Sequence, residues 1–174
     1  MKITRLGLIF CFCCLLSNVS AQQCDNSRPL STPDDNFFIN DNGTVTDVES
    51  GLTWMRCAVG QKWQGNTCAG AAITYSWPQA FKVEDTINQT QAYAGLHNWR
   101  LPTLSELASI VERQCSYPRI NLKLFPATPA AAFWTANHKK GGEPQAFAMD
   151  FGKQGMQVTP QQAKLYLRLV SGRR

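Results

Sequence analysis

The sequence is short of the residues from which most catalytic and metal centres are built. It holds two histidines, His97 and His138, and no C-x-x-C pair beyond residue 14, so a zinc site has few donors to draw on. No H-E-x-x-H, no G-x-S-x-G and no phosphate-cradling glycine loop occurs. Those gaps remove the usual signatures of zinc proteases, serine hydrolases and nucleotide-binding enzymes. Asp47, Glu49, Glu84 and Asp150 are acidic but carry no spacing that predicts a catalytic pair. His97 beside "WRLP" reads as a hydrogen-bonded structural residue rather than a base, and His138 as part of a basic loop. Asp41, Asn42 and Gly43 echo a calcium loop but lack its later acidic ligands. The expectation is a protein without catalytic residues, cofactor or metal.

Apolar runs are also scarce. The one at the start, "LGLIFCFCCLL", is too short for a comfortable membrane span, follows Lys2 and Arg5, and precedes "VSA" ending at Ala21. That is the pattern of a Sec-type secretory signal, residues 1–21. Lipoprotein processing is rejected because Cys24 follows Ala-Gln-Gln. No later stretch is long enough to cross a bilayer, so the cleaved chain is expected to be secreted or periplasmic, without membrane insertion.

Export changes how the cysteines read. Cys11, Cys13 and Cys14 leave with the signal, and Cys24, Cys57, Cys68 and Cys115 remain. An even set in an oxidising compartment points to two disulfides, for which three connectivities exist, with zinc as the competing reading. Cys57 and Cys68 bracket the short polar loop "AVGQKWQGNT", which favours that pair and leaves Cys24 with Cys115.

Charge is unevenly spread. Residues 22–100 carry five basic and eight acidic side chains, while residues 101–174 carry ten basic and four acidic. A basic half on an exported chain points to anionic polysaccharide before nucleic acid, against the plain alternative of a solvated surface. Candidate ligand contacts are Lys139 and Lys140 in a glycine-flanked loop, Lys153 in the "GKQG" turn, Arg168 on the final strand, and Arg173 and Arg174 at the end. Turns and a terminus can converge at one end of a small sheet, giving one basic patch. Of the tryptophans, Trp54, Trp77, Trp99 and Trp134 sit among apolar neighbours and read as core. Trp63, in the polar cysteine loop, is the aromatic candidate for a sugar contact.

Residues 22–36 read as a loose polar arm anchored by Cys24 and the rest as an α+β domain. Residues 44–48 and 52–56 have strand character, separated by "ESG". Ser76 with Gln79, and Thr103 with Glu106, form capping boxes, and Pro78 sits in a first turn. The helices they open are expected to reach about residue 88 and about Gln114. "FWTAN" reads as a short strand, "QAFAMDF" and "MQVT" as a hairpin. "KLYLRLV" reads as a closing strand with Leu165, Leu167 and Leu169 on one face and Tyr166, Arg168 and Val170 on the other. In "HNWRLPTLSEL", Arg100 lies between Trp99 and Leu101-Pro102, just before the Thr103 cap. Its five donors in a fixed fork suit it to tie the helix entrance to loop carbonyls or a carboxylate, a strut rather than a ligand contact.

The segments "DNGTVTDVESGLTWMRCAVGQKW", "WPQA", "HNWRLPTLSELASIV", "INLKLFP", "FWTA" and "YLRLV" occur in that order. Together they resemble the Lcl C-terminal domain family, named for the C-terminal domain of a collagen-like bacterial adhesin, over residues 37–170. The element "RLPT" with the late aromatic-Arg strand is similar to C-type-lectin-like domains of the formylglycine-generating kind. That wider resemblance implies a compact α+β fold with two helices and a twisted antiparallel sheet. It carries no catalysis, because no cysteine follows Cys115. The adhesin resemblance implies an exported or surface module that binds sulfated polysaccharide, with homo-oligomers such as a trimer in prospect. This chain departs in having no collagen-like stalk. The runner-up reading is a protein-interaction or structural module of an envelope assembly such as a pilus or secretion system.

Overall fold

A computed structural model describes residues 21–91 and 93–173. All of the expected signal (residues 1–21) but Ala21, with Cys11, Cys13 and Cys14, and the basic candidate Arg174 lie outside them. In chain order the elements begin with β1 (Gln23–Cys24), a 3-10 turn (Asp34–Asn36), β2 (Phe37–Ile39), β3 (Thr44–Asp47) and β4 (Thr53–Met55). The cysteine loop holds β5 (Lys62–Trp63) and β6 (Cys68–Ala69), followed by β7 (Thr74–Tyr75) and α1 (Trp77–Thr86). A π-turn over Ile87–Gln91 extends α1, and β8 (Trp99–Arg100) leads to α2 (Leu104–Ser109) and β9 (Cys115–Ser116). Then come β10 (Ala132–His138), β11 (Gln145–Asp150), β12 (Gly155–Pro160), β13 (Leu165–Tyr166) and β14 (Val170–Ser171). This is the α+β class expected from the sequence.

Two five-stranded sheets carry the fold, in the orders β12-β11-β10-β13-β7 and β2-β3-β4-β14-β8. Alternation along β10 and β11 feeds two cores. Phe133, Met149 and Phe151 face one cluster, with Leu107 and Ile110 of the α2 region, while Ala132, Trp134, Ala146 and Ala148 face the other, with Trp99 and Ala80. Both helices start where their local code says. The Ser76 N–H donates to Gln79 Oε1 at 3.0 Å, and the Glu106 N–H donates to Thr103 Oγ1 at 3.2 Å.

Both disulfides pair as expected, Cys57–Cys68 across 11 residues and Cys24–Cys115 across 91. The long-range bridge is also a strand register, because Cys24 lies directly opposite Cys115 in the β1–β9 pair. Among the described residues no helix is long and apolar enough to cross a membrane. The bridges suit an oxidising compartment.

Three expectations need correction. The second helix ends at Ser109 rather than near Gln114. Val111 instead bridges to Ile120, and Glu112 turns inward to hold the arm. The arm is therefore fastened along its length. The enclosed Glu112 carboxylate accepts from the Ser31 N–H at 3.1 Å, the Thr32 N–H at 2.8 Å, the Thr32 hydroxyl at 2.7 Å and the Gln114 N–H at 2.8 Å. Finally, "KLYLRLV" is not one strand. It leaves the first sheet after Tyr166 and joins the second at Val170, and Leu167, Arg168, Leu169 and Val170 are all buried at the crossing.

That crossing settles where Arg168 points. Its side chain is fully enclosed and donates from Nη1 to Met55 O at 2.7 Å and to Arg56 O, and from Nη2 to Thr128 Oγ1 at 2.7 Å. The guanidinium lies over the Phe125 ring at 4.8 Å. Burial pushes its pKa down to about 9, against a small opposing pull from Tyr93. Arg168 joins the two sheets and is not a surface ligand contact.

Candidate functional site

The basic residues nominated from the sequence do not share one end of the sheet. The Lys139 N–H donates to Gln145 O at 3.0 Å, which puts Lys139 and Lys140 beside the start of β11. Lys153 lies in the turn at the other end, where Asp150 pairs with Gly155. About 3.4 Å per residue separates the two groups by roughly 20 Å. Arg173 is on the second sheet, where its carbonyl accepts from Arg100 Nη2 at 3.4 Å. The single patch expected from these residues is therefore not formed.

Trp63 is half-buried and already engaged. Its Nε1 donates to Asp41 O at 3.1 Å, and the Arg56 guanidinium lies 4.3 Å from its ring centre. Gly43, at φ +84°, lets the ring close over the turn, since a Cβ there would sit 2.7 Å from Trp63 Cγ. Arg56 is itself nearly enclosed and donates to Leu124 O and Lys123 O at 2.8 and 2.7 Å. Trp63 thus locks the disulfide loop against the body. Trp54, Trp99 and Trp134 are core residues, and Trp77 is half-buried with its Nε1 donating to Thr135 O at 2.9 Å.

Arg100 makes the fork its context suggested. Nη1 and Nη2 donate to the two carboxylate oxygens of Glu106 at 2.8 and 2.7 Å, and Nε donates to Gly172 O at 3.2 Å. Glu106 also accepts from the Thr103 N–H at 2.7 Å. Burial pushes the Glu106 carboxyl up, but the Arg100 and Thr103 hydrogen bonds outweigh it and hold the group below its ordinary range. The pair therefore joins the entrance of α2 to the chain's last strand, with Pro102 and Leu101 buried beneath it. His97 Nδ1 contacts Asn88 O at 2.8 Å, and His138 lies 5.5 Å from the Trp77 ring. The four carboxylates Asp47, Glu49, Glu84 and Asp150 do not gather. Asp47 and Glu49 line one shallow cleft, Glu84 caps the Leu101 N–H from α1, and Asp150 holds the β11–β12 turn.

A different set of cations does converge. Beside the Cys24–Cys115 bridge an open cleft of about 470 Å³ is lined by Gln23, Asp25, Arg113, Gln114, Ser116 and Arg119. Arg119 Nη1 lies 3.8 Å from where a Cβ of Gly155 would sit, which brings in the β11–β12 turn. Lys153 of that turn stands 5.5 Å over the ring of Tyr117, which follows the lining residue Ser116 in the chain. Among the described residues Arg113, Arg119 and Lys153 have no ion-pair partner, while Asp25 is taken by Arg28 at 3.1 Å and by Ser27. Arg113 and Arg119 escaped the sequence reading because nothing local links them. Only the β1–β9 register and the arrival of the β11–β12 turn bring three separate segments to one place.

The ordered motifs and the two-sheet fold agree with a comparison against protein-family models. The model of the Lcl C-terminal domain matches residues 43–171, well over half of the sequence. The chain belongs to the Lcl C-terminal domain family. No curated protein matches the sequence. The matched region of this Lcl C-terminal domain includes Arg113, Arg119 and Lys153, but starts after the arm. Cys24–Cys115 therefore ties a segment outside the match to the wall of the cleft.

Proposed function

We propose that this Lcl C-terminal domain is an exported, non-catalytic binding module that holds an anionic polysaccharide across the cleft beside Cys24–Cys115. The observation that carries the reading is the meeting of Arg113, Arg119 and Lys153, without carboxylate partners, around an open cleft. Arginine forks match sulfate and carboxylate groups in two-point contacts, whereas lysine contributes a mobile point charge. An open cleft suits a chain that passes through rather than a small molecule that must be enclosed. Because the cations are solvated, attraction is mostly Coulombic and falls with ionic strength. Selection is for charge density rather than for sugar identity.

A glycan array of the disulfide-bonded protein at two salt concentrations tests this. Signal on sulfated and polyuronate chains, absent on neutral ones and reduced at the higher salt, is expected. Equal signal on neutral glycans, or none on any anionic one, contradicts it.

A further inference from the structure

β12 is the outer strand of its sheet, and its far edge has no neighbour among the described residues. Two contacts fix which main-chain groups that edge presents. The Phe151 N–H donates to Ala131 O on the β10 side, so odd-numbered residues along β11 bond toward β10 and even-numbered ones toward β12. The Gln161 N–H donates to Pro144 O, which sets the same alternation from the other end. Opposite Asp150, Ala148 and Ala146, the residues Gly155, Gln157 and Thr159 therefore turn their main chain inward. Met156 and Val158 turn theirs outward, while the Pro160 carbonyl already accepts from the Ala163 N–H at 2.9 Å.

The side chains of the same residues are exposed on one face. Met156 is 57% and Val158 43% exposed, and half-buried Phe147 lies opposite Val158. Sheet proteins commonly protect such an edge with a charge or a sharp bulge at its centre. The centre here, Met156-Gln157-Val158, carries no charge. Cations stand instead at its two ends. Lys153 and Arg119 flank the Gly155 end, where Asp150 is occupied by the Gly152 N–H. Lys139 and Lys140 adjoin the Pro160 end, with Glu143 the one acid in that loop.

We propose that the free edge of β12 receives an extended segment of a partner protein, apolar at alternate positions and acidic at both ends. Main-chain hydrogen bonds to Met156 and Val158 supply the attachment, their side chains the apolar contact, and the flanking cations the register. The six residues of β12 span about 20 Å, the reach of a short peptide strand. A second copy of β12 fits worse, because antiparallel self-pairing sets Lys153 and Arg119 against the other copy's Lys139 and Lys140. This surface shares Lys153 and Arg119 with the polysaccharide cleft, but its main-chain edge at Met156 and Val158 stands or falls without that reading.

The probe is a fluorescent peptide with a Val-Thr-Val-Thr-Val core flanked by two aspartates on each side, compared with a lysine-flanked version. Anisotropy should show the aspartate-flanked peptide binding at least tenfold more tightly. Hydrogen exchange should slow at the Met156 and Val158 amides on binding, while those of Gln157 and Thr159 are protected already. Val158→Pro removes an outward N–H and no ladder bond, and should weaken binding at least tenfold. The surface triple variant Lys139→Glu, Lys140→Glu, Lys153→Glu, which leaves the ladder untouched, should reverse the preference between the two peptides. The proposal is overturned by absence of binding, by equal affinity for both peptides, or by protection elsewhere. Met156 and Val158 amides protected without peptide, in a protein that sediments as a dimer, would instead assign the edge to a second copy.

Discussion

Glu112→Gln is the sharpest perturbation of the arm. The native carboxylate is fully enclosed and meets five hydrogen-bond donors with no cation: both the N–H and the hydroxyl of Ser31, both of Thr32, and the Gln114 N–H. Glutamine is nearly isosteric but has one acceptor oxygen in place of two. If that oxygen takes the Ser31 and Gln114 side, the amide NH₂ faces Thr32. The Thr32 hydroxyl can rotate to accept from it, but the Thr32 N–H cannot. One stranded buried donor costs about 1–3 kcal/mol, and weakening three charge-assisted bonds to neutral ones adds about 1–2 kcal/mol. The total of about 2–5 kcal/mol should appear as a melting point lower by roughly 4–20 °C. Exchange of the Ser31 and Thr32 amides should accelerate more than that of the sheet amides, because the arm opens first.

The pH dependence of the same group gives an independent check. Burial pushes the Glu112 carboxyl up, and the hydrogen bonds from Gln114, Ser31 and Thr32 outweigh it, so the folded-state pKa lies below 4.5. Such a group contributes stability that is complete above its unfolded-state value and lost as pH falls through the lower folded-state value. Denaturation curves of the native protein should lose stability through that acid window, and the glutamine variant should show a shallower loss. A variant within about 0.5 kcal/mol of the native protein, with Ser31 and Thr32 exchange unchanged, would refute the reasoning.

Other perturbations follow from the same contacts. Arg100→Ala strands the Glu106 carboxylate, and since both side chains keep only 12% and 14% exposure it should cost about 2–4 kcal/mol while leaving polysaccharide retention intact; loss of ligand at an unchanged melting point would make Arg100 a contact. Arg168→Met leaves Met55 O, Arg56 O and Thr128 Oγ1 without their donor and should destabilise by about 3–5 kcal/mol, read by chemical denaturation; a stability equal to the native protein's would mean that relief of the buried charge cancels the loss. Reduction of either disulfide should cost roughly 2–4 kcal/mol, and non-reducing peptide mapping should recover only Cys57 with Cys68 and Cys24 with Cys115.

What could be read from the sequence was local chemistry. Ser76 with Gln79 and Thr103 with Glu106 mark their helix starts because both partners lie within one turn. The β11–β12 hairpin announces itself by alternation around a glycine-bounded turn, and Cys57 with Cys68 by the short loop between them. What resisted reading was decided at long range. Alternation in "KLYLRLV" placed Arg168 on an outer face, but the segment leaves one sheet for the other at that residue and both of its sides become interior. The end of α2 was misjudged because Val111 and Glu112 are recruited by Ile120 and by Ser31 and Thr32, residues distant in the chain. The basic candidates were chosen from turns, which are legible. Which turns are neighbours depends on strand order, and it parted Lys153 from Lys139 and Lys140 and gave it Arg119 instead.

Heparin affinity measured over a range of salt for the native protein, for Arg113→Ala with Arg119→Ala, and for Lys139→Ala with Lys140→Ala tests the proposed cleft most directly. Among the described residues the four side chains are exposed or half-exposed and make no hydrogen bond or ion pair, so melting temperatures should stay close to native. The native protein should bind with a steep logarithmic dependence on salt, as polyanions that release counterions do. The arginine pair should lose at least tenfold in affinity and show a shallower salt slope, while the lysine pair stays within about twofold of native. Equal retention of all three proteins, or a larger loss from the lysine pair, would contradict an anion-binding cleft beside Cys24–Cys115.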